Sequence, residues 1–113
     1  HVDSIPPQSP QNIDKYRIQN EFTVYWDEED LYNKNPNDTT VFYMIYRFDG
    51  EEIGEIGNNE NRYMMTKKSY FHVEREKNWQ LFGRKVTFAV TAFDKFHNES
   101  PPSDPITIKF KKQ

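Results

Sequence analysis

The sequence predicts an all-β chain, an antiparallel β-sandwich of about seven strands. Three observations carry that expectation. Val86 to Asp94 is a nine-residue run of period-two alternation, which a helix does not accommodate. Asn98-Glu99-Ser100-Pro101-Pro102-Ser103 is a polar turn after which the pattern restarts as Ile106-Thr107-Ile108, so the two runs read as antiparallel neighbours. No strong helical period occurs elsewhere, and short strands at this spacing belong to sandwiches.

Taken in order, Ile5-Pro6-Pro7-Gln8-Ser9-Pro10 reads as an extended, proline-stiffened entry. Residues 1–10 are therefore expected to be a linker from an upstream domain, and residues 11–113 the domain itself. Asn12 to Ile18 reads as the first strand. Phe22, Val24 and Trp26 alternate with Thr23, Tyr25 and Asp27 in a second strand with a large aromatic at its inward end. Asp27 to Thr40 is a polar loop holding Asn35-Pro36-Asn37-Asp38. Val41 to Phe48 is a third strand, apolar on both faces and closed by the hairpin-type Asp49-Gly50. Asn58-Asn59-Glu60-Asn61 is a turn cluster, Tyr63 to Thr66 a short strand, and Ser69 to Val73 a strand leading into a charged loop that contains Trp79.

At 113 residues the chain reads as one domain. Such a chain can bury roughly 65% of its unfolded surface. Only 35% of residues are apolar, against roughly 45–50% in an average domain. The 16% that are aromatic supply the missing volume, at about 150–250 Å² buried per side chain. Without cysteine the core must stand unaided, and the compartment is left open. No apolar run approaches the roughly 18 residues of a membrane span, and no segment reads as a signal peptide. The opening His1-Val2-Asp3, without a Met, leads us to expect a fragment of a longer protein.

The net charge of −3 conceals an asymmetry. Glu21 to Asn61 holds 11 acids and 2 bases, whereas Arg62 to Gln113 holds 11 bases and 5 acids. The two regions read as solvated surfaces that attract each other. A pI near 5.6 argues against nucleic acid as a partner.

Catalytic machinery is not visible. His1, His72 and His97 fall in a terminus, a strand and a turn, outside any nucleophile or metal motif. Metal ligation by His and Cys has no starting material. Asp27-Glu28-Glu29-Asp30 lacks the ligand spacing and the glycine of a calcium loop and reads as solvated. A glycosidase needs two carboxylates facing each other across a cleft, and the acids here sit on loops. Asn37-Asp38-Thr39 and Asn98-Glu99-Ser100 fit the N-glycosylation triplet, which arises easily by chance.

Together these segments resemble a fibronectin type III domain over nearly the whole chain. The resemblance is carried by Pro7-Gln8-Ser9-Pro10, by Trp26, and by Tyr43-Met44-Ile45-Tyr46-Arg47, which is similar to the family's Tyr-x-Val-Tyr-Arg strand. Phe88 to Asp94 is similar to its sixth strand and Asn98-Glu99-Ser100-Pro101-Pro102-Ser103 to the turn into its last. The wording is most similar to modules attached to bacterial carbohydrate-active enzymes, in particular the C-terminal module of barrel-type, glycosyl-hydrolase-like lipoproteins. One departure is Val86, where the family often has a tyrosine; packing of Trp79 or Leu81 would then hold that corner.

The resemblance implies an immunoglobulin-like sandwich with Trp26, Tyr43, Ile45, Phe88, Val90, Ala92, Ile106 and Ile108 between its sheets. It implies a non-catalytic accessory or spacer module of a larger bacterial exported hydrolase, at the periplasm or cell surface and lipid-anchored through the parent chain. The implied partner is the upstream domain of the same polypeptide. Carbohydrate binding to a polysaccharide and protein adhesion are the alternatives. No cofactor, metal, nucleic acid or membrane contact is expected of this domain, which should be a monomer on its own.

One surface feature is expected to matter. With Tyr43 and Ile45 inward, Phe42, Met44, Tyr46 and Phe48 point outward, beside Thr87, Ala89, Thr91 and Phe93. Met44, Tyr46, Phe48 and Phe93 are accordingly the candidate interaction surface, since an apolar outer stripe marks contact sites. Three covers are open: the chain's own loops or the strand at Tyr63 to Thr66, a neighbouring domain, or sugar rings.

Overall fold

The computed structural model describes residues 6–19, 21–28, 40–50, 54, 56, 59–73 and 84–110. Residues 29–39, with Asn37-Asp38-Thr39, and residues 74–83, with Trp79 and Leu81, lie outside the described residues.

Among the described residues, seven strands form two antiparallel sheets. The smaller joins β1 (Asp14–Ile18), β2 (Glu21–Tyr25) and β5 (Tyr70–Val73) in the order β1-β2-β5. The larger joins β3 (Phe42–Asp49), β4 (Arg62–Thr66), β6 (Arg84–Phe93) and β7 (Ile106–Phe110) in the order β4-β3-β6-β7. β1 turns directly into β2, with Ile18 opposite Glu21 and Gln19 in the left-handed region at φ 58°. β3 and β6 are central and pair along their length, from Phe42 opposite Phe93 to Asp49 opposite Val86. That register puts Tyr43 and Ile45 on one face with Val86, Phe88, Val90 and Ala92.

The core lies between the sheets. All eight residues expected there are buried in one cluster, joined by Val24, Phe71, Val73, Val86 and Phe110. Phe71 and Val73 enter because Tyr70-Phe71-His72-Val73 alternates as strictly as β6 does. Trp26 sits just beyond β2 and meets Tyr43 edge-on, with centroids 5.1 Å apart and planes at 69°. Tyr63 lies 5.6 Å from Phe88 at the border of this core, and the Arg47 guanidinium stands 5.6 Å over its ring.

Two features close the open sides. Lys15 on β1 donates from Nζ to the carbonyl of Thr107 on β7, linking the edges of the two sheets. Pro7 and Pro10 are buried, and the Asp27 N–H donates to the carbonyl of Gln11 at 3.0 Å, so the proline segment packs against the sandwich from Pro7 onward.

Candidate interaction surfaces

The outer face of the larger sheet is built as its alternation requires, but it is not open. Tyr46 is fully buried, Phe48 and Phe93 are 7% and 8% exposed, and Met44 is half-buried. Of the three covers left open for this stripe, the structure places the chain's own residues over Tyr46, Phe48 and Phe93, so these three are not an open surface. Phe42 stacks on Phe93 at 4.7 Å with planes 8° apart. Tyr46, Phe48 and Ala89 form a second small core, against which Met44 and Ile56 pack. Gly54 lies so close over the Phe48 ring that a side-chain carbon there would stand 3.3 Å from two of its carbons. The strand at Tyr63 to Thr66 does not cover the stripe, because it extends the sheet as β4, with Met65 opposite Met44.

Glu99 completes that cover. Its Oε2 accepts from the Tyr46 hydroxyl at 2.5 Å and from Thr91 Oγ1 at 2.7 Å. Burial pushes the Tyr46 hydroxyl pKa up, and the Glu99 carboxylate pushes the same way, with Arg62 opposing. The turn that presents Glu99 is organised by buried Asp94. Asp94 Oδ1 accepts from the N–H groups of Phe96 and Asn98, each at 2.9 Å, and Oδ2 from Asn98 Nδ2 at 3.0 Å. Burial alone would raise the Asp94 pKa, but the hydrogen bonds from Asn98 and Phe96 outweigh it and hold the carboxyl below its ordinary value. The same geometry engages the amide of Asn98, the acceptor nitrogen of the Asn98-Glu99-Ser100 triplet.

The face left open belongs to the smaller sheet. Tyr16, Tyr25 and Tyr70 stand on it at 48%, 38% and 37% exposure. Tyr25 lies directly opposite Tyr70, and Tyr16 one diagonal step from Tyr25, with ring centroids 5.7 Å apart. Thr23 is buried beneath this row, between Tyr16 and His72 in the register, and its Oγ1 lies 2.9 Å from His72 Nδ1. The ring of His72 meets that of Tyr70 at 5.6 Å, and Lys68 Nζ stands 5.6 Å over Tyr70. Ile18 is exposed at the rim, opposite Glu21. The sequence contained a usable signal for this face: Tyr25 alternates with Val24 and Trp26, and Tyr70 and His72 with Phe71 and Val73. What alternation does not reveal is that the three strands are neighbours.

No protein-family model matches the chain, and no curated protein sequence matches it. Among solved structures, it matches the fibronectin type III domain of human fibronectin type III domain containing protein 3, with a TM-score of 0.63 and 16% identity. The match covers 99% of this chain and 93% of that one, so the two domains correspond end to end. The fold is that of a fibronectin type III domain.

The same fibronectin type III-like fold occurs within two larger bacterial proteins. The spore cortex lytic enzyme SleM of Clostridium perfringens matches with a TM-score of 0.56 and 14% identity, over 94% of this chain and 28% of that one. A glycoside hydrolase domain, Endo-D from Streptococcus pneumoniae R6, matches with a TM-score of 0.53 and 19% identity, over 96% of this chain and 16% of that one. The chain thus spans less than a third of either protein, and the likeness concerns the fold.

Within this fibronectin type III-like fold the titratable groups of the described residues are dispersed. His72 lies exposed on β5, and His97 occupies the Asp94 turn at φ 63°. Asp27 Oδ2 accepts from Asn12 Nδ2 at 2.6 Å, while Glu29 and Asp30 lie outside the described residues. Among the described residues, no three His, Asp or Glu side chains converge as a metal site. An open depression of about 670 Å³ beside Arg47 and Tyr63 includes Asp49 and Glu60 in its wall. The Asp49 side chain is 63% exposed and 3.9 Å from Arg47, the setting of a solvated surface pair.

Proposed function

We propose that this chain is a non-catalytic accessory module of a larger bacterial exported hydrolase, a stiff spacer that packs against the catalytic domain and orients it. The observation that carries the reading is the asymmetry of coverage. Segments amounting to 28% and 16% of two bacterial enzymes match 94% and 96% of this chain. In such proteins a domain of this shape is one part of a longer polypeptide. The packing supports a mechanical role: both faces of the larger sheet are filled around β3 and β6, and the Asp94 turn is hydrogen-bonded throughout. A domain filled this way transmits orientation instead of absorbing it. Export to the periplasm or cell surface, with a lipid anchor elsewhere on the parent chain, belongs to the same proposal.

The test is the intact native polypeptide, read by mass spectrometry. A barrel-sized domain with facing carboxylates in the same chain is the expected result. A chain made only of tandem sandwiches would overturn the hydrolase reading and bring adhesion forward.

A further inference from the structure

We propose that the outer face of the smaller sheet is a binding platform for a neutral polysaccharide, with Tyr16, Tyr25 and Tyr70 stacking on its pyranose rings. The proposal rests on the geometry of this face and is independent of the accessory role.

The three rings are displayed in a row across all three strands, each more than a third exposed. Neighbouring strands lie about 4.8 Å apart, so the row spans about 10 Å, roughly the length of a disaccharide. Partly exposed tyrosine suits this ligand because its ring face meets apolar C–H groups while its hydroxyl meets water or sugar oxygens. Polar groups lie among the rings: exposed His72, fixed through Nδ1 by Thr23, can hydrogen-bond a hydroxyl, and Lys68 Nζ stands over the Tyr70 ring.

Composition and charge decide against other occupants. A stable protein–protein contact is centred on an apolar core depleted of charged residues. Exposed Asp14 and Glu21 stand on this face beside the tyrosines, and Lys68 stands over Tyr70. This mixture of signs does not select a polyanion such as nucleic acid.

The 113-residue chain would be tested by retention on insoluble cellulose and chitin, with heparin as the polyanionic comparison. Retention on at least one neutral glycan, insensitive to salt, is expected. The pair Tyr16→Ala and Tyr70→Ala should lower it about tenfold or more. The pair Tyr16→Phe and Tyr70→Phe should keep most of it, and Met65→Ser, on the other sheet, should leave it unchanged. Amide shifts produced by cellohexaose or chitohexaose in the unmodified chain should fall on β1, β2 and β5, which decides the matter even where the alanine pair melts early. Absence of retention on both neutral glycans would overturn the proposal, as would shifts confined to the larger sheet. Retention that survives the alanine pair in a fully folded variant would do the same. Self-association abolished by that pair would assign the face to a second copy of the chain instead.

Discussion

The Tyr46 hydroxyl donates to Glu99 Oε2 at 2.5 Å, tying the middle of a central strand to the turn that enters β7. The bond lies on the outer face of the larger sheet, so it acts as a latch over the second small core. Tyr46→Phe keeps the ring and removes the latch, and should cost about 1–2 kcal/mol at neutral pH. Burial, with Glu99, raises the folded-state pKa of Tyr46 above its ordinary 10.0. The corresponding stability is fully present below that value and is lost as pH rises through the folded pKa. Urea midpoints near pH 8 and about pH 11 should therefore fall more steeply in the parent than in Tyr46→Phe. Parallel losses would separate the latch from alkaline unfolding.

Asp94 gives the opposite dependence. Its hydrogen bonds outweigh burial and hold its pKa below the ordinary 3.8. Its contribution is thus complete above that value and disappears as pH falls through the lower folded one. Asp94→Asn keeps an acceptor for the N–H groups but loses the charge, and should cost about 1–2 kcal/mol at neutral pH. The gap between parent and variant should close in urea titrations between about pH 6 and about pH 2. A gap that stays constant would mean the turn depends on shape and not on charge.

Trp26 anchors the core end of β2, edge-on to Tyr43 and 6.1 Å from Phe71. Trp26→Ala should cost about 3–5 kcal/mol, a large share of the total for a domain of this size. A thermal melt matching the parent would remove Trp26 from the core.

How far the sequence could be read follows from what alternation encodes. Tyr70 to Val73 reveals both its strand and its inward face because one residue in two leaves water. Val86 to Thr91, though buried throughout, keeps large apolar residues inward and small or polar ones outward. β3 is different. Both of its faces are covered and both carry large side chains, so Phe42, Met44, Tyr46 and Phe48 look like an open stripe when they are a second packing layer. Its cover comes from Glu99, Gly54 and Ile56, and nothing local to β3 announces those contacts. The tyrosine platform was obscured by distance along the chain. Tyr16 and Tyr25 adjoin through a hairpin, but Tyr70 reaches them only because β5 pairs with β2.

The Asn98-Glu99-Ser100-Pro101-Pro102-Ser103 wording, legible as a turn, performs a second task. β7 pairs with β6 only as far as Phe88, and prolines interrupt any regular partner beyond it. Two serines take over. Ser100 donates its N–H to the carbonyl of Ala92 at 2.8 Å, and its Oγ accepts from the Ala92 N–H at 2.8 Å. Ser103 repeats the exchange with Val90, at 2.8 Å and 3.0 Å. Each hydroxyl thus stands where a strand carbonyl would, and donates onward to the carbonyl of Pro101 or Asp104. Ser100→Ala and Ser103→Ala each leave a buried N–H without its acceptor, at about 1–3 kcal/mol. Amide exchange at Ala92 should quicken in the first variant and at Val90 in the second, while Ile45 on β3 keeps the parent rate relative to global stability. Unchanged exchange at Ala92 and Val90 would show that the two hydroxyls are bystanders and that the backbone N–H groups of the serines suffice to hold the segment on β6.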